Sequence, residues 1–135
     1  KKNYKIKQKS VIKQYENYAK QVDNFKLDGR FSLGENIADI AGLAIAEETL
    51  LDYLNECGTD GLSKDIHLKM FFGYYVQQWR TKIKLQAKHE LSGTDEHVNP
   101  MYRANMSLAR SENFKRIFNI QKGDLMFCSD TDQIW

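Results

Sequence analysis

Proline occurs once in this chain, at Pro100, cysteine only at Cys57 and Cys128, and no apolar run approaches the length needed to cross a bilayer. The cysteines have no CxxC spacing and no histidine cluster, so neither a disulfide framework nor a cysteine zinc site is indicated. A reducing compartment fits that usage. The N-terminus alternates charged and apolar residues instead of building a signal peptide. Charge of one sign is not in excess: 20 basic and 18 acidic residues leave a formal net charge of +2. That balance gives no general pull toward nucleic acid or an anionic membrane, so neither is an expected partner of this segment. The local basic bias of Lys1, Lys2, Lys5, Lys7, Lys9 and Lys13 reads as the solvated face of a helix. Repeats, low-complexity tracts and flexible linkers are missing as well.

What remains is 41% hydrophobic and 12% aromatic, enough for a packed core in a single domain over residues 1–135. From Tyr4 to Val22 the apolar residues recur at spacings of three and four, which predicts a long first helix. Phe25 to Leu33 alternates polar and apolar residues around Asp28-Gly29, consistent with a short β-hairpin near residues 25–33. Ser32 followed three residues later by Glu35 has the spacing of a capping box, and an alanine-rich apolar pattern continues to about Asn55. Alanines at the start of that helix leave room for something large to pack there. Ser63 can cap a third helix running from Lys64 to about His89, whose Phe71, Phe72, Tyr74, Tyr75 and Trp79 read as core. Pro100 suits the first turn of a short helix, and Ser111 caps a last one from Glu112 to Phe118. The chain is expected to be mainly α. It starts without a Met and already in helical periodicity, as expected of a fragment.

Glu35 and Asp39 lie four apart on the second helix, so their carboxylates share a face one turn apart. Two readings fit. Glu35 can be a capping-box glutamate with Asp39 a favourable negative charge near a helix N-terminus. Alternatively one carboxylate binds a metal while the other accepts the N–H of a metal-bound histidine.

The whole stretch Ser32-Leu33-Gly34-Glu35-Asn36-Ile37-Ala38-Asp39 closely resembles the glutamate-ligand helix of the neprilysin family of zinc metalloendopeptidases, departing only afterwards, at Ile40 and Ala41, where that family has Asn-Gly. His97-Val98-Asn99-Pro100-Met101-Tyr102-Arg103-Ala104-Asn105 is similar to a second family segment, a histidine followed six residues later by an arginine. Further likeness lies in Gln14-Tyr15-Glu16-Asn17-Tyr18, the helix from Phe71 to Trp79, Ser111-Glu112-Asn113-Phe114 and the terminal Trp135. The resemblance implies the helical C-terminal part of a thermolysin-like gluzincin catalytic domain. It implies that Glu35 is a zinc ligand and that Asp39 orients a zinc-binding histidine. It further implies that His97 donates to the oxyanion formed during peptide hydrolysis, and that Arg103 holds a substrate carbonyl through its fork of donors.

A gluzincin also needs H-E-x-x-H. His89-Glu90 begins such a string, but Gly93 stands at the place of the second histidine. The expected cofactor is therefore one Zn2+ completed by two histidines outside this chain. The expected function is zinc-dependent hydrolysis of peptide bonds in oligopeptides by metal-activated water, the chain alone being inactive and its partners being oligopeptide substrates and the upstream part of the same polypeptide. A helical binding module that kept the fold and lost catalysis is the alternative. Asp132 stands where secreted and membrane-anchored relatives have a cysteine before the final tryptophan, which resembles bacterial endopeptidase O-like members and points to a cytoplasmic parent.

Overall fold

A computed structural model of the chain describes residues 2–84, 87, 90 and 94–130. Its five principal helices are α1 (Lys2–Asp23), α2 (Leu33–Cys57), α3 (Lys64–Gln78), α4 (Pro100–Leu108) and α5 (Glu112–Ile117). The mainly α expectation holds, and no strand occurs among the described residues.

The apolar periodicity of α1 becomes burial only from its third turn. Val11, Tyr15, Tyr18 and Ala19 are closed off, whereas Tyr4 and Ile6 are exposed among the described residues. The expected hairpin at 25–33 is corrected to an irregular loop docked on α1. Asp28 Oδ1 accepts from the backbone N–H groups of Arg30 (3.0 Å) and Phe31 (3.2 Å), closing a turn without flanking strands. Gly29 N–H donates to Glu16 Oε1 at 3.2 Å, and a Cβ at Gly29 would lie 2.9 Å from the Ile12 carbonyl oxygen. The glycine is needed for this close approach, and Leu27 beside it enters the core instead of pairing with Phe31.

The capping box at Ser32 does not form. Ser32 has φ −91° and ψ 3° and makes no side-chain cap bond. Its hydroxyl turns inward and accepts from Asn36 Nδ2 at 3.0 Å. The caps read at Ser63 and Ser111 are present, with Ser63 Oγ accepting from Ile66 N–H (3.3 Å) and Ser111 Oγ from Phe114 N–H (3.0 Å). Asn99 caps α4 by accepting from Met101 N–H at 3.0 Å, with Pro100 in the first turn as expected.

α3 is shorter than the periodicity predicts. It stops at Gln78, where the Trp79 N–H tightens onto the Val76 carbonyl (3.1 Å) and residues 80–84 leave the helix. The core reading of its aromatics holds for Phe72, which is 1% exposed, and fails for Tyr74, which is 60% exposed. His89 and Gly93 lie outside the described residues, as do Asp132 and Trp135.

Two apolar clusters meet at α4. One joins Val11, Tyr15, Tyr18 and Ala19 of α1 to Ile40 of α2 and Tyr102 and Met106 of α4. The other joins Leu43, Leu68, Phe72, Leu108 and Phe114. α4 therefore packs on α1, α2 and α3 together, with its most extensive contact against α2. The face of α2 that closes on this neighbour is made of Asn36, Ile40 and Leu43, whereas Ala38 and Ala46 stay exposed.

Candidate functional site

The site is built where α4 and the loop leading into it cross the first two turns of α2. Because Ser32 leaves the cap bond unmade, the capping reading of Glu35 loses its partner. The Glu35 carboxylate turns outward, 37% exposed, and its Oε2 lies 3.1 Å from His97 Nε2. The opposite nitrogen of that ring, Nδ1, lies 2.9 Å from Asp95 Oδ1, which also accepts the His97 backbone N–H at 2.9 Å. His97 is thus fixed at both ring nitrogens. Its pKa is raised, first by the hydrogen bond to Asp95 and then by the negative charge of Glu35 and Asp95. The same two bonds from His97 hold the Asp95 carboxyl below its usual range. A ring held between two carboxylates keeps its N–H groups and so remains a donor.

One turn deeper, Asp39 meets Arg103 in a bidentate pair, with Nε to Oδ2 at 2.6 Å and Nη2 to Oδ1 at 2.7 Å. Both side chains are mostly buried, at 11% and 19% exposure. The Asp39 hydrogen bond raises the Arg103 pKa above its already high value, so the guanidinium is cationic throughout the working pH range. Its flat face rests on Trp79, with Cζ 4.4 Å from the ring centroid. With Nε and Nη2 committed to Asp39, Nη1 is the edge left to meet a ligand. Each Asp39 oxygen keeps a second lone pair, so the carboxylate can still accept one further N–H.

All four residues singled out by sequence, Glu35, Asp39, His97 and Arg103, therefore come together from two helices and a loop. Asp95 and Trp79 were missed as functional neighbours. Asp95 carries a signal in retrospect, since an aspartate two residues before a histidine can accept its backbone N–H. Trp79 has none, being indistinguishable from core by periodicity. His67 is occupied elsewhere, with Nε2 3.0 Å from the Thr59 carbonyl oxygen. Beside Trp79 opens a cavity of about 480 Å³ lined by Val76, Trp79, Arg80, Lys82, Met101 and Asn105 among others. Among the described residues no three His, Cys, Asp or Glu side chains converge as a metal-binding group. Glu35 is suited to be one oxygen ligand of a zinc ion, and the chain's described residues supply no complete set.

The family model for peptidase family M13 matches residues 1–134. The chain belongs to peptidase family M13. Similar curated M13 relatives include human "Endothelin-converting enzyme-like 1", 30% identical over 132 residues, which are 96% of this chain and 17% of that protein. "Neprilysin-11" of Caenorhabditis elegans is 28% identical over 120 residues, 86% of this chain and 14% of that protein. Human "Endothelin-converting enzyme 1" is 28% identical over 135 residues, 98% of this chain and 17% of that protein. The neprilysin-like resemblance is borne out, and the chain spans about a sixth of the length of the relatives it matches. It is a metallopeptidase-derived segment of the M13 scaffold, all-helical among its described residues. None of its described helices is long and apolar enough to cross a membrane.

Proposed function

We propose that this chain supplies the glutamate ligand and the substrate-side residues of a zinc-dependent M13 endopeptidase acting on oligopeptides. The observation that carries the reading is the convergence of Glu35, His97, Asp39 and Arg103 on one face, with Glu35 free of any capping role. In this reading Glu35 is the carboxylate ligand, and two histidines upstream in the same polypeptide complete the set. When bound, zinc supplies Lewis-acid polarisation of water and of the scissile carbonyl. Asp39 uses its remaining lone pair to fix the ring of one liganding histidine. His97, pinned by Asp95 at Nδ1, would offer the Nε2–H that Glu35 now accepts to the carbonyl oxygen as it gains negative charge, once Glu35 turns to the metal. Arg103, held flat by Asp39 and Trp79, offers Nη1 to a neighbouring backbone carbonyl of the peptide. The half-apolar cavity beside Trp79 is suited to a substrate side chain. With Asp132 in place of the cysteine of secreted relatives, the parent belongs in the bacterial cytoplasm under this reading.

The test is zinc titration and peptide cleavage by this chain beside a version extended upstream to include the two histidines. Tight zinc binding and cleavage are expected only of the longer protein, and both are lost on Glu35→Ala. An extended protein that bound no zinc would overturn the reading and leave the non-catalytic module in its place.

A further inference from the structure

At about 480 Å³ the cavity beside Trp79 falls within the roughly 300–1,000 Å³ of ligand pockets. Its apolar wall comes from three parts of the chain: Val76 near the end of α3, Ile83 in the segment that follows, and Met101 in the first turn of α4. These side chains are 38%, 39% and 37% exposed, so the wall is apolar surface left uncovered. The charged lining is of one sign. Arg80 and Lys82 line the cavity, no Asp or Glu does among the described residues, and neither cation is paired with a carboxylate there. Asn99 and Asn105 add neutral amides that are already engaged, Asn99 Oδ1 accepting the Met101 N–H and Asn105 Nδ2 donating to the Tyr18 hydroxyl at 2.6 Å. The Arg103 guanidinium over Trp79 is balanced by Asp39, so the uncompensated charge at the cavity is that of Arg80 and Lys82.

Two like charges raise the local potential and attract an anion, while the uncovered wall favours an apolar group. A ligand that meets both has an apolar stem and an anionic head. An inorganic anion would answer the cations and leave the wall bare; a purely aliphatic side chain would cover the wall and gain nothing from the cations. The Arg80 N–H donates to the Gln77 carbonyl oxygen at 3.2 Å, which ties the start of the cationic segment to the end of α3 at the cavity.

We propose that this cavity is a specificity pocket for a carboxylate carried on an apolar stem, with Arg80 and Lys82 as the residues that select for it. This deepens the proposed function and rests on it, since the peptide is taken to run past Arg103 and Trp79. In a peptide that chemistry has two sources, a glutamate side chain or a free C-terminal carboxylate on an apolar last residue.

The test measures kcat/KM of the full-length protein on two sets of peptides. In the first, acetylated and amidated peptides carry Glu or Gln at each position beside the cleaved bond in turn. In the second, peptides ending in Leu carry a free or an amidated C-terminus. The carboxylate member of at least one set is expected to be preferred about three- to tenfold, the scale of exposed charge pairs, and the preference shrinks as ionic strength rises. The set that shows it identifies the source. Arg80→Ala combined with Lys82→Ala brings the ratio to about one, and Arg80→Glu combined with Lys82→Glu inverts it. Each ratio compares two substrates on the same protein, so a general loss of folded enzyme cancels. Absence of a preference in both sets, or a preference that survives the double alanine substitution, overturns the proposal. A wild-type protein that cleaves no peptide fails the proposed function instead, and the pocket is then judged by calorimetric Kd values for the same peptides. A carboxylate preference in Kd that the double alanine variant loses supports it, and equal or undetectable binding overturns it.

Discussion

Arg103 spends two donors on Asp39 and rests its flat face on Trp79, so its fork is fixed in plane before any ligand arrives. Lysine cannot reproduce that geometry, since an ammonium is a point charge without a planar edge. Under the proposed function, Arg103→Lys is expected to lower kcat/KM by about 100-fold in the full-length protein while the helical circular-dichroism signal is kept. Steady-state peptide cleavage measures this, and a loss of less than a few-fold would show that the bidentate geometry is dispensable. Asp39→Ala strands the guanidinium in a mostly buried place and should destabilise the fold by about 2 kcal/mol, read by urea unfolding. The motif around Glu35 was legible at this scale, because its residue types and order occur together. The hydrogen bond that Ser32 chooses was not: the capping spacing was present, and only backbone geometry with ψ near zero turned the hydroxyl toward Asn36.

At the scale of elements, junctions carry the information that periodicity lacks. The loop between α1 and α2 is held by the contact of Gly29 with Ile12 and Glu16, so Gly29→Ala forces a Cβ against a backbone oxygen. The expected cost is about 1–3 kcal/mol, measurable as a lower urea midpoint. α3 and α5 are joined internally by Phe72, packed edge to face on Phe114 at 5.4 Å, and externally by Arg116 paired twice with Asp65. Phe72→Ala should remove about 3–5 kcal/mol by opening a cavity between the two helices. The external pair gives a pH signature. Arg116 lowers the Asp65 pKa, so the stabilisation is complete above the unfolded carboxyl's value and disappears as pH falls through the folded one. Asp65→Asn should therefore lower the midpoint slightly at neutral pH and match wild type once pH lies below both values. A constant offset at every pH would rule out the pair as its origin. The early stop of α3 was illegible from sequence, since Arg80 to Lys84 contain no proline or glycine to announce it.

The whole molecule has a filled interior around α4 and a surface that is not uniformly polar. Ile66, Met70 and Tyr74 follow one another along one side of α3, exposed by 42%, 48% and 60%. Apolar surface left in such a row promotes association. The chain produced by itself is expected to self-associate with rising concentration, and Met70→Lys should reduce that without loss of helix content. Sedimentation velocity across a concentration series checks this, and identical association of the variant would place the sticky surface elsewhere.

Sequence alone determined the helical class, the order of the long helices, two of the caps and the four residues of the candidate site. These features rest on local periodicity, on turn chemistry and on a motif whose residues are close in the chain. Tertiary structure decided that Glu35 is not a cap, that Asp39 is held by Arg103 and that Trp79 lies under the guanidinium. Each of those relations depends on which face of α4 lands on α2. The faces are chosen by the joint packing of α1, α2 and α3 against α4, a sum of contacts between residues far apart in the chain, such as Gln14 with the Met106 carbonyl 92 positions away, that no local window contains.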